Sequence, residues 1–232
     1  QGYNDELIMI HERFPDVIIE PGSDRAAHAR AAVHKGAQII ILDDGFQHRR
    51  IHRDCNILTL DTSQAGFPHL CIPSGPFREP WTGRKRADII LLTKCKPDET
   101  VSSAKISARN DQTVLRTIHK PVMLTRGDIE KPLEFIAGKK VFLFCGIADP
   151  YFFKETAEQA GTEITGSMFF PDHHFYSEQD IDTITYASID TGAEVALTTE
   201  KDMAKISQMV KNGKNNIEFL ALSITIGFLD SS

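Results

Sequence analysis

Ile39-Ile40-Ile41-Leu42-Asp43-Asp44 is a run of apolar residues closed by two carboxylates, with Gly45 following at once. A continuous apolar run this short suits a strand buried on both faces, as in a parallel sheet. We read a strand over residues 38–42 that stops at the Asp43-Asp44-Gly45 turn. Upstream, Asp24 can cap a helix, residues 26–35 are rich in good helix formers, and Gly36 can end it. Residues 17–19 form another short apolar run, and 56–60 and 88–92 are further strand candidates. Strand-helix-strand order predicts a doubly wound, mostly parallel sheet with flanking helices.

Between these strands, residues 61–87 carry little helix or strand signal. Pro68, Pro73, Pro76 and Pro80 alternate there with Gly66, Gly75 and Gly83. A loop this long inside a compact domain is usually functional or mobile. Pro121, Gly127, Pro132 and Gly138 mark residues 120–140 as a junction. A second αβ series follows. Its predicted strands are 140–144, 163–168, 195–197 and 217–222, and its predicted helices are 149–160, 178–188 and 200–209. Ser177 caps the middle helix. The expected organisation is one domain over 1–119 and a smaller α/β domain over 120–232.

Composition narrows the function classes. The chain has 232 residues, 41% of them hydrophobic and 25% charged, which is the balance of an ordinary globular protein. Its net charge of −6 argues against a general nucleic-acid binder. Local basic clusters remain, at Arg49, Arg50 and Arg53 and at Arg78, Arg84, Lys85 and Arg86. Such clusters in an acidic chain suit a discrete anionic ligand. Cys55, Cys71, Cys95 and Cys145 show no CxxC spacing, so neither a zinc knuckle nor a redox pair is expected. The sequence starts at Gln1, not Met, and contains no apolar stretch long enough to span a bilayer. We therefore expect the chain to begin inside a longer protein.

The chemistry starts again from Asp43 and Asp44. A buried strand that ends in carboxylates can deliver an Asp to Mg²⁺ in phosphoryl-transfer enzymes, and ligands gather at such strand ends. The plainer reading is a polar turn, since Asp-Gly is a common turn pair. Gly45-Phe46-Gln47-His48-Arg49-Arg50 favours the first reading, because an amide, an imidazole and two guanidiniums crowd the strand tip. Arginine's planar fork matches phosphate. Far along the chain, Phe170-Pro171-Asp172-His173-His174 offers either metal ligands or a His–carboxylate pair for proton transfer. Asn4-Asp5-Glu6 reads locally as a helix start. Thr93-Lys94-Cys95-Lys96 has a lysine where guanine-reading motifs carry an acid, so guanine specificity is not supported. Thr199-Glu200-Lys201-Asp202 reads as a helix N-terminus with Asp202 in capping-box position.

Together these segments resemble one family, the tetraacyldisaccharide 4′-kinases of lipid A biosynthesis. The resemblance rests on Asp43-Asp44-Gly45-Phe46-Gln47-His48-Arg49-Arg50, Arg53-Asp54, Pro73-Ser74-Gly75-Pro76-Phe77-Arg78-Glu79-Pro80 and Arg86-Ala87-Asp88. It continues in Gly146-Ile147-Ala148-Asp149-Pro150, Phe170-Pro171-Asp172-His173-His174 with Tyr176, and Thr199-Glu200-Lys201-Asp202. The resemblance implies a P-loop-type sheet, incomplete at the N-terminus, with a second smaller α/β domain. It implies ATP and Mg²⁺ as cofactors. The acceptor would be the 4′-hydroxyl of a tetraacylated glucosamine disaccharide 1-phosphate, giving lipid IV-A at the cytoplasmic face of the bacterial inner membrane.

The resemblance also implies roles for single residues. Asp5 would act as base on the sugar hydroxyl, although Asn4 stands where the family has glycine. His173 would pair with Asp5, and Asp43 and Asp44 would lie on the metal side. Arg25, Gln47, His48, Arg49 and Arg78 would contact substrate or nucleotide phosphates. The family's Gly-rich loop ending in Gly-Lys-Thr/Ser does not occur in the 232 residues. That loop would supply backbone N–H groups and a lysine to the phosphates, so this chain alone is expected to bind ATP weakly and turn over negligibly. The main alternative is a metal-dependent phosphoesterase with Asp43, Asp44, Asp172, His173 and His174 around two metals.

Overall fold

The computed structural model describes residues 5–62, 70–75, 77–96, 108–210 and 217–229, and for residues 5, 6, 8 and 12 the backbone alone. The chain forms two compact units. One comprises Ile18–His119 with Ile226–Ser232, the other Gln1–Val17 with Lys120–Thr225. The units meet at 119/120, as in the sequence division, but the chain ends cross over. Of the described residues, 5–17 cluster with the C-terminal half and 226–229 with the first.

In the unit built on 18–119, the predicted helix forms as α2 (Arg25–His34), after the short α1 (Asp5–Arg13) of the other unit. The Asp24 carboxylate accepts from the Ala27 N–H and caps it, and Gly36 leaves it at φ +95°. Strands β1 (Ile57–Asp61), β2 (Ile89–Thr93) and the first part of β3 (Thr113–Arg126) run parallel, with Ile57 opposite Ile89 and Ile89 opposite Thr113. Ala87, Ile90, Leu92 and Cys95 are buried here, and Phe46, Leu58, Leu60 and Trp81 pack against them.

The expected strand over 38–42 does not form. Ile39 and Ile41 are 83% and 88% exposed, and no ladder partner lies beside them among the described residues. Apolar side chains favour a strand only when pairing satisfies its backbone and neighbours cover its faces. Residues 17–19 form no strand either, and Val17 and Ile18 are exposed.

The second unit is a parallel sheet in the order β8-β7-β5-β6, formed by β5 (Lys140–Cys145), β6 (Glu163–Phe169), β7 (Val195–Thr199) and β8 (Glu218–Phe228). Helices α3 (Pro150–Gln159), α4 (Glu178–Asp190) and α5 (Glu200–Ile206) follow β5, β6 and β7. Alternate β5 residues enter two separate cores. Phe142 and Phe144 join Ile181, Ile184, Ile206 and Phe219, whereas Val141, Leu143 and Cys145 join Phe153, Ala157, Leu197 and Leu220. Both sheet faces are thus covered, as parallel ladders require. Helix α1 packs against α5, where Arg13 lies 3.7 Å from Glu200.

The predicted junction is more ordered than its prolines and glycines suggest. β3 runs unbroken through Pro121 to Arg126 and turns back as β4 (Ile129–Lys131). Gly127, at φ +57°, opens the two-residue turn between paired Arg126 and Ile129. Among the described residues, no helix is long and apolar enough to cross a membrane.

Candidate functional site

In the unit built on 18–119, three motif segments converge on the Asp43–Arg50 loop. Asp44 takes a left-handed φ of +47°, which short polar side chains tolerate better than most. Its carboxylate pairs with the Arg78 guanidinium, and its carbonyl accepts from Arg25 Nη1 at 2.9 Å. That partner holds the Arg78 pKa above its ordinary value. Arg53 donates to the Gly45 carbonyl at 2.7 Å. Glu79 receives Gln47 Nε2 at 3.4 Å and Arg86 Nη2 at 2.8 Å, while the Arg86 guanidinium lies 4.7 Å from the centre of the Phe46 ring. The loop is therefore tied on one side to Arg78-Glu79 and on the other to Arg86. His48 and Arg50 face Ser23, Asp24 and Ala26 across an open depression of about 410 Å³ at the start of α2. Asp43 and Arg49 are exposed.

In the second unit, polar residues gather where three neighbouring parallel strands end. β5 runs into Gly146, β6 into the 170–174 turn, and β7 into α5. In open α/β sheets this carboxyl edge is where ligands bind. His173 sits at φ +61° and is exposed. Its N–H donates to the Gly146 carbonyl at 3.1 Å and to Asp172 Oδ1 at 2.9 Å, and its Nε2 lies 3.8 Å from Asp172 Oδ2. Lys201 Nζ is 3.6 Å from Asp172 Oδ1.

His174 turns the other way. Its ring stacks on Phe170 at 4.5 Å, and its Nε2 is 3.3 Å from Asp180 Oδ2. Asp202 is fully buried behind the turn. Burial, and then the Asp202 charge, raise the pKa of the Tyr176 hydroxyl and push the Cys145 thiol up to about 12.

The predicted residues thus form two groups. Arg25, Gln47, Arg78 and Asp44 are joined directly or through Glu79, with His48 beside them. However, Arg25 and Arg78 are engaged by Asp44 itself. His173 stands with Asp172 and Lys201. Asp5 is the first residue of α1, and its side chain lies outside the described residues. The di-metal alternative gains no support. Among the described residues, no three His, Cys, Asp or Glu side chains come together as a metal-holding group, and His174 is committed to Asp180. Sequence reasoning missed Glu79, Arg86, Gly146 and Asp202 as parts of these clusters. Each stands inside a motif quoted above, but local spacing cannot show partners 32 to 56 residues away.

A mostly parallel α/β sheet with flanking helices defines an α/β protein of the P-loop-kinase-like class. The chain belongs to the LpxK family, described as tetraacyldisaccharide-1-P 4′-kinase, whose family model matches residues 2–232. It is 36% identical over 221 residues to the tetraacyldisaccharide 4′-kinase of Syntrophus aciditrophicus, covering 89% of this chain and 59% of that protein. A relative of the same name from Bdellovibrio bacteriovorus is 33% identical over 213 residues, covering 89% of this chain and 62% of the relative. A crystal structure of LpxK from Aquifex aeolicus in complex with ATP superposes with a TM-score of 0.69 at 27% identity, covering 97% of this chain and 64% of that one. The chain therefore spans about three fifths of the length of the curated relatives it matches.

Proposed function

We propose that this chain is the part of a tetraacyldisaccharide 4′-kinase that holds the acceptor base and the metal-side carboxylates. The whole protein would move the γ-phosphoryl group of ATP onto the 4′-hydroxyl of tetraacyldisaccharide 1-phosphate, at the cytoplasmic face of a bacterial inner membrane. One observation carries the reading. Helix α1, which starts at Asp5, and the turn bearing His173 belong to one compact unit, and both are held by α5.

In this reading, Asp5 takes the proton of the sugar hydroxyl as the oxygen attacks the γ-phosphorus. His173 pairs with Asp5 and raises its competence for that task. A positioned base contributes about 10²–10⁴-fold, and alignment with charge neutralisation supplies most of the rest. Arg25, Gln47, His48, Arg49 and Arg78 are the groups for substrate and nucleotide phosphates, and arginine suits them because its fork meets two phosphate oxygens at once.

The donor set at the Asp43–Asp44 turn fits magnesium, which takes hard oxygens from one or two carboxylates and fills its remaining positions with phosphates and water. When bound, the ion would neutralise charge on the β- and γ-phosphate oxygens. Asp44 would exchange its Arg78 partner for that role, releasing the guanidinium towards phosphate.

The test is transfer of radiolabelled γ-phosphate from ATP to tetraacyldisaccharide 1-phosphate by the longer protein that carries this chain. Asp5→Ala and His173→Ala should each lower kcat by ~10²-fold or more. Chelating the divalent cation with EDTA should abolish transfer, and magnesium should restore it. Wild-type turnover by both variants would sink the reading.

A further inference from the structure

We propose that Asp202 is a positioning residue for His173: its buried carboxylate holds the histidine-bearing turn through Gly146 on one side and Lys205 on the other. The inference rests on the role given to His173 above.

A residue three positions after a helix cap usually turns its side chain back onto the cap's own N–H. The Asp202 carboxylate instead bonds the cap's hydroxyl and, beyond its own helix, the Gly146 N–H. Oδ2 accepts from the Gly146 N–H at 3.1 Å and from the Thr199 hydroxyl at 2.8 Å. Oδ1 lies 3.5 Å from Lys205 Nζ, which donates to the His174 carbonyl at 3.2 Å. Gly146 passes the link on, because its carbonyl accepts from the His173 N–H at 3.1 Å. One carboxylate with no solvent exposure is thereby connected to the backbone at both His173 and His174.

The turn needs such an anchor. His173 holds φ +61°, a conformation that a residue with a Cβ disfavours and keeps only when its surroundings impose it. Space at the link is also restricted. A Cβ on Gly146 would come 3.0 Å from the His174 Cβ and 3.2 Å from the Pro171 carbonyl oxygen. The same α5 packs against α1, the helix that begins at Asp5. Asp202 thus sits in the element common to both members of the proposed Asp5–His173 pair. A small displacement of a reacting group can cost ~10²-fold in rate, so an anchor of this kind acts on kcat.

The experiment has two readouts. The first is the His173 ring signal in ¹H–¹³C spectra of the histidine-labelled 232-residue chain, assigned by its loss in His173→Gln. Asp202→Asn, Asp202→Ala, Lys205→Met and Gly146→Ala should each move that signal and its pH titration. Ile90→Val, a truncation in the separate core of the other unit, should lower stability and leave the signal in place. The second readout is phosphoryl transfer by the longer protein. Asp202→Ala should lower kcat by ~10²-fold with KM for ATP unchanged, and Asp202→Asn, which keeps an acceptor for Gly146, should recover part of the loss.

If Asp202→Ala does not fold, the Asn, Met and Gly146→Ala variants carry the test. An unmoved His173 signal in every folded variant, with wild-type kcat, overturns the proposal. His173→Ala made in parallel separates the two failures. If that variant transfers phosphate normally, the role of His173 falls, while the ring signals still report whether Asp202 anchors the turn.

Discussion

Single side chains in this protein do very different work from near neighbours of the same type. Asp44 is exposed and bound to an equally exposed arginine, whereas Asp202 is sealed beneath a turn. An exposed ion pair contributes little to stability, so Arg78→Ala should leave the melting temperature of the chain close to wild type. A drop of several degrees in a thermal melt would show that the pair organises the loop. Cys145 and Cys55 differ in the same way. Cys145 is buried with its pKa at about 12, and Cys55 is exposed. Only the thiolate reacts, so a thiol reagent at pH 8 should label Cys55 quickly and Cys145 only on unfolding. Mass spectrometry of native and denatured protein would check this, and equal labelling rates would contradict the burial.

At the scale of the element, helix α4 is held at its start by a complete capping box. The Ser177 hydroxyl accepts from the Asp180 N–H, and Asp180 accepts from the Ser177 N–H at 2.8 Å. Hydrogen bonds from the Ser177 backbone and then its hydroxyl hold the Asp180 carboxyl below its ordinary 3.8. A carboxyl lowered by folding binds fewer protons folded than unfolded. Its contribution is therefore fully present above pH ~4 and is lost as pH falls through the folded value. Ser177→Ala should cost ~1 kcal/mol near neutral pH. It should also flatten the acid side of a stability–pH curve measured by urea unfolding. The run over 38–42 makes the opposite case. Ile39→Glu with Ile41→Glu should change stability by less than ~0.5 kcal/mol, because those side chains are already in water. A large loss in the same assay would show that they are covered.

At the scale of the whole molecule, the two units differ in how much they bury. The unit with Lys120–Thr225 has two cores on opposite sheet faces, rich in residues with no exposure. The unit with Ile18–His119 has one small core around Ile90 and Leu92. Amide protection follows the free energy of local opening, which falls where buried apolar contact is sparse. Hydrogen exchange should therefore leave β5 and β7 protected longest and release β1 first. Equal protection of β1 and β5 would contradict this. His119 adds a pH dependence to the first unit. Burial, and then the Lys94 charge, lower its pKa from 6.5, with Asp61 opposing. A histidine kept neutral by folding stabilises above its ordinary pKa and loses that contribution as pH falls below it. Protection factors in β1 and β2, taken against the intrinsic exchange rate at each pH, should accordingly fall as pH drops below ~6.5.

Much of this protein could be read from local order. The Asp24 and Ser177 caps, the β1 and β2 runs, and the β5-α3-β6-α4-β7-α5 alternation all follow from side chains within a few positions of each other. The motif segments of both clusters could be read in the same way. The strand expected at 38–42 could not be settled locally, because a strand exists only through a partner that its own residues do not encode. Distance in sequence hid the connections as well. Glu79 meets Gln47 across 32 residues, and Asp202 meets Gly146 across 56. Thr199-Glu200-Lys201-Asp202 specified a helix start. Only the arrival of β5 beside β7 brought the Gly146 N–H to its last carboxylate, which already bonds its own cap, beneath the turn that carries His173.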